Sequence, residues 1–216
     1  MKILFESAFT INKEIKKLIN KEALESFSNS IYQGDNANYC ISLFHDYLID
    51  PNESNKNFLF YMGKNLIKWA EKNLHRGYFK MEDVHHGSEL FLGFLPRYID
   101  FFPENLKAKE LIINVSKLIG NWDKETEEWY NYSLKNFNSW YFGSDGISKR
   151  DHYKFNTADH LRFVHITLLA WNITSEQKYL DWSIDYSKQF AEKIIIAKEI
   201  IPVAWNCEWE EFFSKD

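Results

Sequence analysis

The chain has 216 residues, 45% of them hydrophobic and 26% charged, with a net charge of −5. Such a length can bury a sizeable core, and such a composition excludes an intrinsically disordered chain. The excess of 31 acidic over 26 basic residues argues against non-specific nucleic-acid binding, and no apolar run approaches membrane length.

The first segment, Met1–Ser30, is helical in pattern, with Ile11, Ile15, Leu18, Ile19, Ala23, Leu24 and Phe27 at three- and four-residue spacing. The same stretch lacks a signal peptide, because Glu6 interrupts the short apolar run, so a cytoplasmic location is expected. Gly34 and small polar residues break the pattern over Ser28–Asn38. A helix then covers Asn38–Ile49 and stops before Asp50-Pro51, and another covers Asn55–Asn73 with Phe58, Met62, Leu66 and Trp69 on one side. His75-Arg76-Gly77 ends it.

After His85-His86-Gly87, Ser88 is positioned to cap a helix running to Phe101 with a kink at Pro96, and its partner spans Glu104–Ile119. Trp122–Phe137 is read as a further helix, with Trp129, Tyr130 and Leu134 inward. Asn138–Asn156 follows as a long irregular segment, a length more often functional than idle.

Asn156–Lys193 is the clearest unit. Thr157 can cap a helix to Trp171 with Leu161, Val164, Leu168 and Trp171 inward and His165 packed among apolar neighbours. Thr174 or Ser175 then caps a helix carrying Tyr179, Trp182, Tyr186 and Phe190 on one face, with Ile184 to one side. So short a link makes the two antiparallel neighbours. Ile194–Ile196 and Ile200–Trp205 have strand character; no convincing sheet is expected elsewhere.

An internal repeat accompanies these elements. An offset of 160 − 89 = 71 pairs Leu90 with Leu161, Leu111 with Trp182 and Val115 with Tyr186, and Tyr39–Asp50 lies over Glu89–Asp100. Hairpins at unequal spacing favour packing around an axis over a short-period solenoid. The expected fold is one all-α domain over residues 1–216, built from antiparallel helical hairpins in a partial α/α toroid of about eight helices.

HLRFVHITLLAWNITSEQKYLDWSIDYSKQF resembles the inner-helix, turn, outer-helix unit of the six-hairpin, α/α-toroid carbohydrate enzymes. That group includes polysaccharide lyases, unsaturated-uronide hydrolases and acylglucosamine 2-epimerases. A complete toroid has more helices than are counted here, so the toroid is incomplete, the chain is a fragment, or a homo-oligomer finishes it.

The resemblance implies an enzyme acting on an acidic oligo- or polysaccharide. It sets the starts of the inner helices at one mouth, with His85, His86 and Glu89 beside Asn156, Asp159 and His160. In a lyase, Asn156 or His85 would neutralise the uronate carboxylate, His160 or His86 would take the α-proton and Tyr153 would protonate the leaving oxygen. In a glycoside or unsaturated-uronyl hydrolase, Asp159 and Glu89 would serve as acid and base. The lyase is preferred, because His, Asn and Tyr outnumber paired carboxylates. An epimerase and a non-catalytic sugar- or peptide-binding module are the alternatives.

Arg162 is a candidate for substrate binding, with a salt bridge to a neighbouring helix as its ordinary use, and Trp140 and Tyr141 offer flat faces for a sugar. Each has an ordinary structural use as well: Asn156, Thr157 and Asp159 as capping residues, His160 as a satisfied buried histidine. Cys40 and Cys207 are isolated and the histidines unpatterned, so no metal and no cofactor are expected.

Overall fold

In the computed structural model, the described residues are 7, 10–11, 13–15, 17–18, 35, 37–38, 40–49, 51–125, 129–197 and 201–212. Most of the expected helix over Met1–Ser30 and of the break that follows lies outside them. The chain divides into two compact units, Met1–Trp69 with Gly93–Glu104, and Ala70–Leu92 with Asn105–Asp216.

The first unit contains helix α1, Ile41–Ile49, most of α2, Glu53–Asn73, and a short helix over Phe94–Phe101. Phe44 packs against Phe94 and Phe101 at 5.2 and 5.0 Å between ring centroids. Tyr98 lies so close to Gly63 that a Cβ there would stand 2.1 Å from its ring. The Phe94–Phe101 helix is separate from the His85 segment, where one kinked helix was expected. Pro96 is its third residue, a first-turn position whose missing N–H costs no helical bond. Asn38 caps it from outside, its Oδ1 accepting from the Phe94 N–H at 3.1 Å.

The second unit carries the organising pair. In chain order its helices are α3, Val84–Glu89, then, after the Phe94–Phe101 helix α4, α5, Leu106–Ile119, α6, Arg162–Thr174, and α7, Gln177–Ile196. Asn105 caps α5 by accepting from the Ala108 N–H. Helix α6 packs against both α5 and α7. Its buried stripe is Phe163, Ile166, Thr167 and Ala170, one step round from the expected Leu161, Val164, Leu168 and Trp171. Those four are half-buried or, for Trp171, 37% exposed, and His165 faces out rather than into a core. The helix is apolar on two sides, so periodicity alone leaves the choice of face open. Thr167 and Ser183 link α6 to α7 through hydroxyls 2.7 Å apart. The aromatic face of α7 is as expected, with Tyr179, Trp182, Tyr186 and Phe190 buried. Ser175, at φ 58, ends α6, and α7 continues through Ile194–Ile196, which are not strand.

Small antiparallel sheets replace two expected features. Tyr130–Asn131 (β2) and Asn136–Phe137 (β3) form a hairpin where a helix over Trp122–Phe137 was expected. Trp129 and Tyr130 are both buried, and Asn121 holds both of their backbone N–H groups with Oδ1 at 2.9 and 3.1 Å, which takes from them the i−4 carbonyl bonds a helix would need. Within Asn138–Asn156, Tyr141–Gly143 (β4) pairs with both Glu82–Asp83 (β1) and Gly146–Ile147 (β5). The two-residue Ser144-Asp145 turn relies on Gly146 at φ 111. Phe155–Thr157 (β6) pairs with Ala204–Asn206 (β7), so part of the Ile200–Trp205 segment is strand, as its composition suggested. The fold is therefore mainly helical with small sheets, not purely α. No described helix is long and apolar enough to cross a membrane.

Candidate functional site

The site grows from the start of α3. Asp83 is its N-cap, Oδ1 accepting from the His86 N–H at 2.9 Å, while Oδ2 lies 2.6 Å from His86 Nδ1. This cap was missed in the sequence, where Ser88 was preferred; an Asp three residues before His86 was the available signal. Burial would raise the Asp83 carboxyl, but its hydrogen bonds to the His86 ring and backbone and the His86 charge outweigh it and hold Asp83 below its ordinary range. The same hydrogen bond raises the His86 imidazole, more than offsetting its slight burial. Two-thirds of the His86 side chain is exposed.

A second ionic group adjoins this one. His85 Nδ1 lies 3.3 Å from Asp159 Oδ1, and that oxygen takes the Arg162 Nε–H at 3.2 Å. Arg162 also donates to the His85 carbonyl oxygen at 3.3 Å. The expected meeting of the His85–His86 turn with the Asp159 turn is thus present; the salt bridge of Arg162 was expected to a neighbouring helix and instead falls within its own turn, on Asp159. The two imidazoles stand 5.2 Å apart at 70°, giving a continuous run Arg162, Asp159, His85, His86, Asp83. Glu89, the last residue of α3, is half-buried, and its charge bears on His86.

His160 and Asn156 lie elsewhere. His160 is fully buried in the 3-10 turn Ala158–Leu161, among Phe137, Phe142 and Phe163. Its Nδ1 accepts from the Thr157 N–H at 3.2 Å, which leaves Nε2 to donate to the Ser139 carbonyl at 3.2 Å. Burial lowers it from 6.5 to about 4, against two backbone hydrogen bonds. A neutral ring with both nitrogens occupied has no free site for a substrate proton, so the rim position expected for it is corrected to a supporting one. Asn156 is also fully buried, its Nδ2 donating to the Phe137 carbonyl at 2.9 Å; a rim contact with a uronate is corrected likewise.

What His160 supports is the aromatic side of the site. Ser139, whose carbonyl it holds, accepts from the Tyr141 N–H at 3.0 Å, and its hydroxyl lies 3.0 and 3.2 Å from the Tyr141 and Tyr153 carbonyls. Trp140 donates its N–H to the Tyr153 carbonyl and accepts from Val84, tying the loop to α3. Tyr141 and Tyr153 stack at 4.7 Å and 15°, and Trp140 stacks on Phe155 at 5.3 Å and 18°. Since Tyr141 is the register partner of Asp83, the stacked tyrosines adjoin the Asp83–His86 pair. Burial, then the Glu82 and Tyr153 charges, raise the Tyr141 phenol.

Among the described residues, Glu82, Asp83 and His86 bring potential metal-ligand atoms within 4.8 Å of one another. Both Asp83 oxygens are already engaged by His86, which describes an ion pair at a helix cap and supplies no reason for a metal.

No family model and no curated protein matches the chain. Among solved structures, the unsaturated glucuronyl hydrolase of Streptococcus agalactiae aligns with a TM-score of 0.57 at 13% identity, over 93% of this chain and 52% of that one. The chain thus spans about half the length of that protein. At this identity the likeness is one of fold alone, the α/α toroid.

Proposed function

We propose that the chain is a carbohydrate-active hydrolase of uronate-bearing saccharides, working at the run from Arg162 to Asp83. The observation that carries the reading is the pairing of two carboxylate–imidazole groups of unlike setting side by side. Hydrolysis needs one group to give a proton to the leaving oxygen and another to take one from water. His86, made more basic by Asp83, holds its proton longer and is the donor. Asp159, oriented by Arg162 and His85, is the group that accepts the proton of the attacking water as its oxygen bonds to the sugar and the glycosidic bond breaks. The stacked Tyr141 and Tyr153 offer a face for the sugar ring, and the imidazolium of His86 and the guanidinium of Arg162 offer positive charge to its carboxylate.

The lyase reading loses ground here. Its proton acceptor was to be His160 or His86; the first is buried with both ring nitrogens bonded, and the second is assigned to the donor role.

Near-ultraviolet absorbance of the unsaturated uronide bond tests this. Incubation with pre-cleaved unsaturated oligosaccharides is expected to lower it, and Asp159→Asn and His86→Ala each to slow the fall by about 10²-fold or more, within the range for a lost acid or base. A rise on intact uronate polymers would restore the lyase. Full activity in both variants would remove this site from consideration.

A further inference from the structure

A second recess in the same unit shares no residue with the site above. It has a volume of about 430 Å³ and is lined by Trp122, Tyr132, Lys178, Asp181, Trp182, Ile184 and Asp185, within the usual range of small-ligand sites, about 300–1,000 Å³. Lys178, Asp181, Trp182 and Asp185 recur at helical spacing and form one face of the first turns of α7. The opposite wall is held in place from below. Tyr132 donates its hydroxyl to the Gly120 carbonyl at 2.6 Å, and the Trp122 ring lies over Gly120, where a Cβ would stand 2.5 Å from it. Trp122 meets Tyr179 edge-on at 4.8 Å.

The chemistry of the lining narrows the ligand. An apolar ligand would strip water from Lys178, Asp181 and Asp185 without replacing it. An anion is opposed by the two carboxylates. A quaternary ammonium is opposed by the like charge of Lys178, whose Nζ lies 5.8 Å from the Trp122 centroid and 4.8 Å from that of Tyr179. A neutral polyhydroxylated ring fits all of them: an apolar face for Trp122, and hydroxyls that donate to Asp181 and Asp185 and accept from Lys178. Gln177 and Lys135 each donate to one oxygen of these carboxylates, which orients them and leaves further acceptor capacity. Trp182, 4% exposed at the base, has an Nε1–H with no acceptor among the described residues.

We infer that this groove is a second saccharide-binding site, selective for an uncharged sugar residue. The assignment of its polymer rests on the proposed hydrolase reading: where uronates alternate with neutral sugars, the neutral unit occupies the groove.

The test is calorimetric titration of Asp159→Asn protein, so that no cutting intervenes, with hyaluronan fragments, which alternate in this way, and with polygalacturonate, which does not. Hyaluronan is expected to bind, and Trp122→Ala to weaken it about tenfold, or about 1.4 kcal/mol. Asp181→Ala, an exposed position that leaves the packing intact, is expected to do the same and decides the matter if Trp122→Ala fails to fold. With Asp159 restored, neither change is expected to alter turnover of an unsaturated disaccharide. The inference is overturned if hyaluronan does not bind, if both variants bind it as the parent does, or if tetramethylammonium or polygalacturonate fills the groove instead. Groove-dependent binding without any turnover would keep this site and remove the hydrolase; turnover with no effect of the groove variants would do the reverse.

Discussion

Acidification should weaken the fold through one buried ring. His160 is held neutral and fully buried, and its pKa falls from 6.5 to about 4. For a group whose folded value is depressed in this way, the unfolded chain takes up the proton first, so stability is lost as pH drops below the unfolded value. The step from 6.5 to about 4 converts to about 3 kcal/mol once the native ring is protonated, and to about 2 kcal/mol between about pH 7.5 and about pH 5. His86 works in the opposite direction, since its raised value adds stability as pH falls. The comparison is therefore made with His160→Gln, in which every other titrating group is retained. Urea denaturation followed by tryptophan fluorescence at each pH gives the two stability curves. The variant is expected to be weaker at neutral pH by about 2 kcal/mol, for lost packing and two lost hydrogen bonds, and to lose about 2 kcal/mol less than the parent on acidification. Parallel curves would refute the reasoning, for they would mean that the ring takes up its proton in the folded chain as easily as in the unfolded one.

Two further outcomes follow from single contacts. Asp83→Asn keeps an acceptor for the α3 cap but removes the charge beside His86, so the His86 ring signal in NMR should titrate closer to 6.5 than in the parent; the stability cost should be about 1–2 kcal/mol, since Asp83 is buried while His86 is two-thirds exposed. That contribution is whole between the unfolded Asp and His values, lost below as Asp83 protonates and above as His86 deprotonates. Gly143→Ala should lower the melting temperature and perturb Tyr141, because the new Cβ would stand 2.4 Å from the Phe79 and Lys80 carbonyl oxygens, and a clash of that kind costs about 1–3 kcal/mol. An unchanged melting temperature would show that this backbone gives way freely.

The helical hairpin of α6 and α7 was legible in the residues because its signals are local: the aromatic stripe of α7 repeats at helical spacing, and Thr157 caps the turn before α6, with the Asp159 N–H 3.3 Å from its hydroxyl. The meeting of the His85 turn with Asp159 was legible too, through the repeat. Trp129, Tyr130 and Phe137 could not be placed by period, since a helix face and a hairpin both bury aromatic residues and only contacts with α7 favour the second. Ile194–Ile196 were misplaced for a related reason: β-branched residues prefer strands weakly, and a helix already formed over Gln177–Lys193 carries them along.

The site divides the same way. Sequence alone determined which residue types gather at the two helix starts, and the repeat set His85 and His86 beside Asp159; that Arg162 joins them on the Asp159 carboxylate was decided by the tertiary structure. Only the tertiary structure decided that His160 and Asn156 turn inward while His86 turns out. A histidine one turn from a helix start has the same local sequence whether it faces water or Ser139. The pairing of Ser139 with the more distant Tyr153 and the fold of its own loop onto Tyr141 settle which, by setting a carbonyl where the His160 ring can reach it.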